Sequence, residues 1–167
     1  MKAVLISIQP KWCKLIASGK KTIEVRKTKP KLETPFKAYI YETKTPLRWN
    51  KAHNNIIGGE GGRVIGEFVC DEVIKIGNYQ EADYSYMLWV KDRKTTDELC
   101  KNACLDEFEI QDYLGANGGY GWHISELKIY NKPKGLGEFK HCGVNYHYNP
   151  PITRPPQSWC YVEGVDL

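Results

Sequence analysis

A chain of 167 residues, 41% hydrophobic and 26% charged, is one domain's worth of globular sequence; with no low-complexity tract, a disordered or fibrous protein is excluded. No apolar run approaches the ~18 residues of a membrane-spanning helix and "MKAVLISI" lacks a cleavable leader pattern, so a soluble cytoplasmic protein with no membrane partner is expected. The net charge of +4 hides an asymmetry: residues 1–31 hold nine Lys/Arg against Glu24 alone, and the remainder holds fifteen against nineteen acids, so the N-terminal part suits an anionic partner such as nucleic acid or a nucleotide.

In chain order, "MKAVLISI" (1–8) reads as a buried strand. "PKWCKLIASG" (10–19) reads as a helix, with Pro10 at its first position, Gly19 as its stop, and Trp12, Leu15 and Ile16 as an apolar stripe. "TIEVR" (22–26) alternates, with Ile23 and Val25 on one face and Thr22, Glu24 and Arg26 on the other. Two prolines make 27–36 a loop, and "KAYIYETK" (37–44) is a third strand. "NNIIGGEGGR" (54–63) is a Gly-rich turn that lacks the residue order of a phosphate-binding loop. It leads into "RVIGEFVCDEVIKI" (63–76), expected as one long strand. "EADYSYMLWV" (81–90) and "TTDELCKNACLDEFEIQDYLG" (95–115) are expected to be helical and form an acidic insertion near 80–115. "GGYGWHISELKIY" (118–130) returns as a strand and "SWCYVEGV" (158–165) closes the chain. Short strands, one early helix and no βαβα alternation predict an α+β fold, a small β-barrel forming a single domain over 1–167.

Six cysteines, at 13, 70, 100, 104, 142 and 160, are expected to stay reduced in a cytosolic chain. Cys100 and Cys104 fall four apart in the expected helix and so share a face, but the spacing is poor for a zinc knuckle and there is no second close pair. No pattern asks for a metal or another cofactor, and no nucleophile elbow or H-E-x-x-H helix appears. The concentrated charge is at 19–26, where Gly19, Lys21, Glu24 and Arg26 read G-x-K-x-x-E-x-R and Lys20 adds a further cation at the helix-to-strand junction. Opposite charges two apart on a strand are commonly a solvated surface pair that contributes little.

That motif, at the end of a strand–helix–strand unit, resembles the ASCH domain family, small β-barrels related to the PUA fold. The resemblance extends through "SIQPKWCKLIASGKKTIEVR", "YIYETK", "RVIGEFVCDEV" and "GYGWHISELKIY", and "RPPQSWCYVE" (154–163) is similar to the tail of phage and bacterial members. It implies a PUA-like small β-barrel with an N-terminal crossover helix, and a groove lined by the motif that binds RNA or a modified nucleotide or nucleoside. Carried onto this chain, Gly19, Lys20, Lys21, Glu24 and Arg26 would form the site. Lys21 and Arg26 would offer cationic donors to a phosphate or base edge, and Glu24 would orient them or accept from a base. Relatives of the PUA fold that read modified bases enclose them in aromatic walls. Tyr120 and Trp122 are the candidates here, with Trp12 and Trp49 weighed beside them; Trp12, on the apolar stripe, and Trp122, alternating with Ile124, also fit a core.

The same resemblance implies an alternative, a small hydrolase. One bacterial branch deacylates N4-acylated cytidine and carries threonine where this chain has Glu24, with a lysine matching Lys21. Without that nucleophile, Glu24 would serve as general base for water and Lys21 as electrophilic support, with a further acid among Glu98, Glu107 and Glu109. A ribonuclease would use Glu24, Lys21 and Arg26, with His123 as acid. The acidic insertion could also dock a protein.

Overall fold

A computed structural model describes residues 1–80, 86–91, 95–143 and 148–164. The α+β class stands: among the described residues the strands divide into a five-stranded, a four-stranded and a two-stranded sheet, accompanied by three α-helices. No helix among these residues is long and apolar enough to cross a membrane. The chain forms two compact units, Met1–Lys14 with Lys37–Phe68 and Lys128–Leu167, and Leu15–Phe36 with Val69–Leu127.

The first unit is built on β1 (Lys2–Ile8), β3 (Phe36–Glu42), β6 (Arg63–Cys70), β10 (Ser125–Lys134) and β11 (Trp159–Glu163), in the order β10-β6-β3-β1-β11. β1 runs parallel to β3, with Val4 opposite Ala38, and antiparallel to β11. A parallel neighbour needs a crossover, which the early helix α1 (Pro10–Ala17) and the strand after it supply. Residues 3 to 8 are all buried, which is why "AVLISI" is apolar throughout and not alternating. Ala3, Leu5, Tyr39, Val64, Phe139 and Val162 are among the core residues here. β4 (Arg48–Asn50) and β5 (Asn55–Ile57) form a hairpin where only a Gly-rich turn is expected from the sequence; the glycines begin one residue after β5 ends.

The second unit is an antiparallel sheet of β2 (Ile23–Arg26), β9 (Gly119–His123), β7 (Val73–Gln80) and β8 (Tyr86–Val90), in the order β2-β9-β7-β8. Strand parity sorts its side chains. Ile23, Val25, Ile74, Ile76 and Leu88 pack with Leu99 and Ala103 of α2 (Thr96–Ala103) and with Ile110 and Leu114 of α3 (Glu107–Leu114). The sequence "GYGWH" makes this packing possible. Gly121 stands opposite Val25 and Ile74, and a Cβ there would come within 2.9 Å of the Ile23 side chain, so β9 stays thin where the helices lie. Tyr120 and Trp122 alternate with the glycines and belong to the other face, with Glu24, Arg26 and Lys75.

Several expectations are corrected. The run 63–76 is two strands broken at Asp71 and Glu72, and 118–130 is two strands broken at Ile124. The helix expected over 81–90 is a strand over Tyr86–Val90, residues 81–85 lying outside the described set. Leu88 is buried between exposed Met87 and Trp89, a period of two that overrides the helical reading. The helix expected over 95–115 is two helices. Cys104 ends α2 in the left-handed region at φ 52°, and capping boxes start both helices, Thr95 with Glu98 and Asp106 with Glu109. Cys104 is therefore outside the helix and shares no helical face with Cys100.

Leu99, only 2% exposed, couples α2 to this sheet. Leu99→Ala is expected to cost about 2–5 kcal/mol in urea unfolding; a loss below ~1 kcal/mol would show that α2 does not bear on the sheet.

Candidate functional site

The turn after α1 carries the first motif residues. Gly19 adopts a left-handed φ of 72°, and the amides of Gly19, Lys20 and Lys21 return to the Ile16 and Leu15 carbonyls at 2.8, 3.0 and 3.1 Å, closing the helix. Lys20 is exposed. The same turn meets the end of α2 through three consecutive residues. The Lys20 carbonyl accepts from Cys104 Sγ at 3.4 Å, Lys21 Nζ donates to the Ala103 carbonyl at 2.6 Å, and the Thr22 amide donates to the Asn102 carbonyl at 2.8 Å. A helix C-terminus leaves carbonyls without helical partners and carries partial negative charge, so an ammonium placed there satisfies both.

β2 then carries Glu24 and Arg26. Glu24 Oε2 lies 3.4 Å from Lys21 Nζ, and Glu24 Oε1 lies 2.9 Å from Arg26 Nη2. Lys21, Glu24 and Arg26 are 2%, 6% and 8% exposed, so this is a buried ion cluster and not the solvated pair that the alternation alone would give. The three side chains sum to one positive charge. Burial pushes the Lys21 ammonium below its ordinary value, and the Glu24 carboxylate works in the opposite direction.

The aromatics divide. In the β2–β9 ladder Tyr120 faces Arg26 and Trp122 faces Glu24. Trp122 is fully buried, with its ring edge-on to Phe36 at a centroid distance of 5.7 Å, which makes it packing behind Glu24. Tyr120 is half-buried, with Lys75 Nζ 4.4 Å from its ring centroid, and it borders a cleft of about 590 Å³ lined by the loop from Lys27 to Glu33. Trp12 is half-buried beneath Lys11 Nζ at 4.1 Å, and Trp49 is exposed on β4. The cleft was legible only as charge: "KTKPK" at 27–31 enters the basic count, but its proline marks it as a mere loop.

The acids and the histidine of the enzyme alternative lie elsewhere. Glu98 and Glu109 accept from the Thr95 and Asp106 amides at 3.1 and 3.0 Å as capping-box carboxylates, and Glu107 accepts from Gln111 at 3.3 Å. His123 stands opposite Ile23, on the other face of the sheet from Glu24, and its Nδ1 is 2.7 Å from Asp71 Oδ1. Burial alone would raise the Asp71 carboxyl, but hydrogen bonds from His123 and Ser125 outweigh it and hold it below its ordinary value. Among the described residues no group of three or more His, Cys, Asp or Glu side chains is placed to hold a metal ion.

Comparison with known proteins agrees with the family resemblance. The family model of the ASCH domain matches residues 6–132, which takes in segments of both compact units. The solved ASCH structure from Zymomonas mobilis is 21% identical with a TM-score of 0.57, over 96% of this chain and 87% of that one. A serine-to-alanine variant of that protein aligns at 20% identity and a TM-score of 0.57, over 96% and 88% of the two chains. A tyrosine-to-phenylalanine variant gives 20% and 0.58, over 98% and 91%. These likenesses support the PUA-like fold. No curated protein sequence matches.

Lys21 provides a direct test of the cluster. Its ammonium, followed through the side-chain Cε resonance, is expected to titrate below the ordinary 10.5, and Glu24→Gln is expected to lower it further by removing the carboxylate that holds the proton on. In the window between the folded value and 10.5 the unfolded chain binds more protons, so the contribution of Lys21 to stability rises with pH there. A midpoint at or above 10.5 would refute the burial described here.

Proposed function

Because the chain belongs to the ASCH domain family, we propose that it binds RNA, or a nucleotide or nucleoside derived from it, through Lys21, Glu24 and Arg26, and that it does so as a binding module. The observation that carries this reading is the nearly complete burial of three charges that sum to one positive. Withdrawing ions from water costs several kcal/mol each, and apolar replacements of similar volume are often at least as stable. Such a cluster is better explained by recognition than by stability. Glu24 holds the Arg26 guanidinium in one orientation, and a planar five-donor fork so held matches a phosphate or a base edge. Lys21, engaged by Ala103 and Glu24, acts in this reading mainly to position the carboxylate.

The geometry favours binding over turnover. Each Glu24 carboxylate oxygen faces a cation, which suits an orienting group better than a general base. The expected acids serve as helix caps or lie at an exposed first turn, and His123 is on the opposite sheet face. Gly19 contributes the turn and Lys20 an exposed charge at the rim.

The test is a titration of purified protein with short single-stranded RNA and with modified nucleosides, followed by product analysis of the same samples. Arg26→Lys keeps the charge but loses the fork, and is expected to weaken binding by about 1–3 kcal/mol with the melting transition little changed. Arg26→Ala should weaken it at least as much, with some loss of stability because Glu24 loses a buried partner. Wild-type affinity in both variants would remove the cluster from the binding site. A shortened strand or a deacylated nucleoside in the product analysis would move Lys21 and Glu24 from positioning to catalysis.

A further inference from the structure

The sheet face that bears Glu24 and Arg26 does not end at them. Cross-strand partners in an antiparallel ladder project from the same face. Arg26 on β2 faces Tyr120 on β9, and Tyr120 faces Lys75 on β7. Two residues along β7, on the same face as Lys75, Gly77 stands opposite Trp89 on β8. The Trp89 indole lies over Gly77, where any Cβ would run into its ring. Gly77 therefore provides the space that lets a large ring lie against the sheet. Trp89 is nonetheless 42% exposed, more than packing alone asks of a tryptophan.

The charges of the loop beside this face are mostly positive. Lys27, Lys29 and Lys31 are exposed on the loop that leaves β2 directly after Arg26, and that loop with Tyr120 lines the cleft of about 590 Å³. Glu33 is the one acid in its lining. Lys29 Nζ lies 5.6 Å from the Tyr120 ring centroid and Lys75 Nζ 4.4 Å, so Tyr120 is the point where the loop and the sheet face meet. From β2 to β8 the face crosses three inter-strand spacings, about 14 Å. It runs from buried Arg26 through half-buried Tyr120 to exposed Trp89.

We propose that this face and the lysine-lined cleft form one extended surface for single-stranded RNA, in which Trp89 stacks a base and Lys27, Lys29 and Lys31 meet phosphates of the strand. The inference rests on the RNA-binding reading above and deepens it: the ligand is a strand of several nucleotides, not a lone nucleoside. A nucleoside has no phosphates for the lysine loop and is too short to reach from Arg26 to Trp89. Stacking on an exposed ring tolerates any base, so Trp89 contributes affinity and strand length, and selectivity resides with Glu24 and Arg26.

The experiment is fluorescence anisotropy with labelled oligouridylate of roughly eight nucleotides, within the 4–16 that one small binding fold engages, beside uridine monophosphate as competitor. Trp89→Ala is expected to weaken the oligonucleotide by roughly five- to a hundred-fold and to leave competition by the mononucleotide unchanged, while Trp89→Phe retains most of the affinity. Changing Lys27, Lys29 and Lys31 together to alanine is expected to reduce the slope of log affinity against log salt by about two. Thermal melts and sizing accompany each variant. If wild type binds oligouridylate and Arg26→Lys weakens it while Trp89→Ala does not, the extended surface is wrong and the motif site survives. If Trp89→Ala alters only the oligomeric state, the face is a self-association surface and the proposal falls. If wild type binds neither probe, the RNA reading falls with it.

Discussion

The ammonium of Lys21 is the contact on which the candidate site depends. It donates to the Ala103 carbonyl at 2.6 Å and sits 3.4 Å from Glu24, so one side chain joins the turn after α1, the end of α2 and strand β2. The flanking contacts make this a seam and not a lone bond, since the Thr22 amide and the Lys20 carbonyl also bind the end of α2. Burial disfavours the charge, and the carboxylate and the helix end favour it. With Lys21 fixed, Glu24 is held from one side, and Arg26 takes its other oxygen.

The second unit can present that cluster because β9 alternates extremes of size. Glycine at 119 and 121 lets α2 and α3 lie close to the sheet, and Tyr120 and Trp122 project from the reverse side. Trp122 gives the buried end of the face a rigid apolar backing behind Glu24, while Tyr120 stands at the boundary of burial beside the lysines. A gradient from dry to wet along one face lets the same sheet hold a low-dielectric charge cluster at one edge and an open aromatic at the other.

Much of this was legible in the sequence where the signal is local. β1, α1, β2 and β3 follow from apolar runs, Pro10, Gly19 and the alternation of "TIEVR", and the motif residues do converge. The burial of Glu24 and Arg26 was not legible, because alternation assigns them a face and says nothing about what covers it. The split of the acidic segment was written in T-x-x-E at 95–98 and D-x-x-E at 106–109, two capping boxes inside what reads as one amphipathic run. Tyr86–Val90 misled because four large apolar residues in five fit either period, and only burial separates Leu88 from its neighbours. His123 and the acids at 98, 107 and 109 looked available because residue type is visible in a sequence and hydrogen-bond partners are not.

The acidic helices have a different relation to the basic face than their composition implies. A segment with nine acids over 81–112 beside a +8 N-terminal stretch invites the idea that one neutralises the other. The acids of α2 are Asp97 and Glu98, in its first turn, where they complement the positive end of the helix, while Lys21 complements the negative end. An eight-residue helix separates these ends by about 12 Å, and the carboxylate that acts on the Lys21 ammonium is Glu24, not either of these two. The acids of α2 therefore serve the start of the helix, and Lys21 answers to Glu24 at the other end. What α2 brings to the site is its carbonyl end, which holds a lysine in place and leaves the cluster positive.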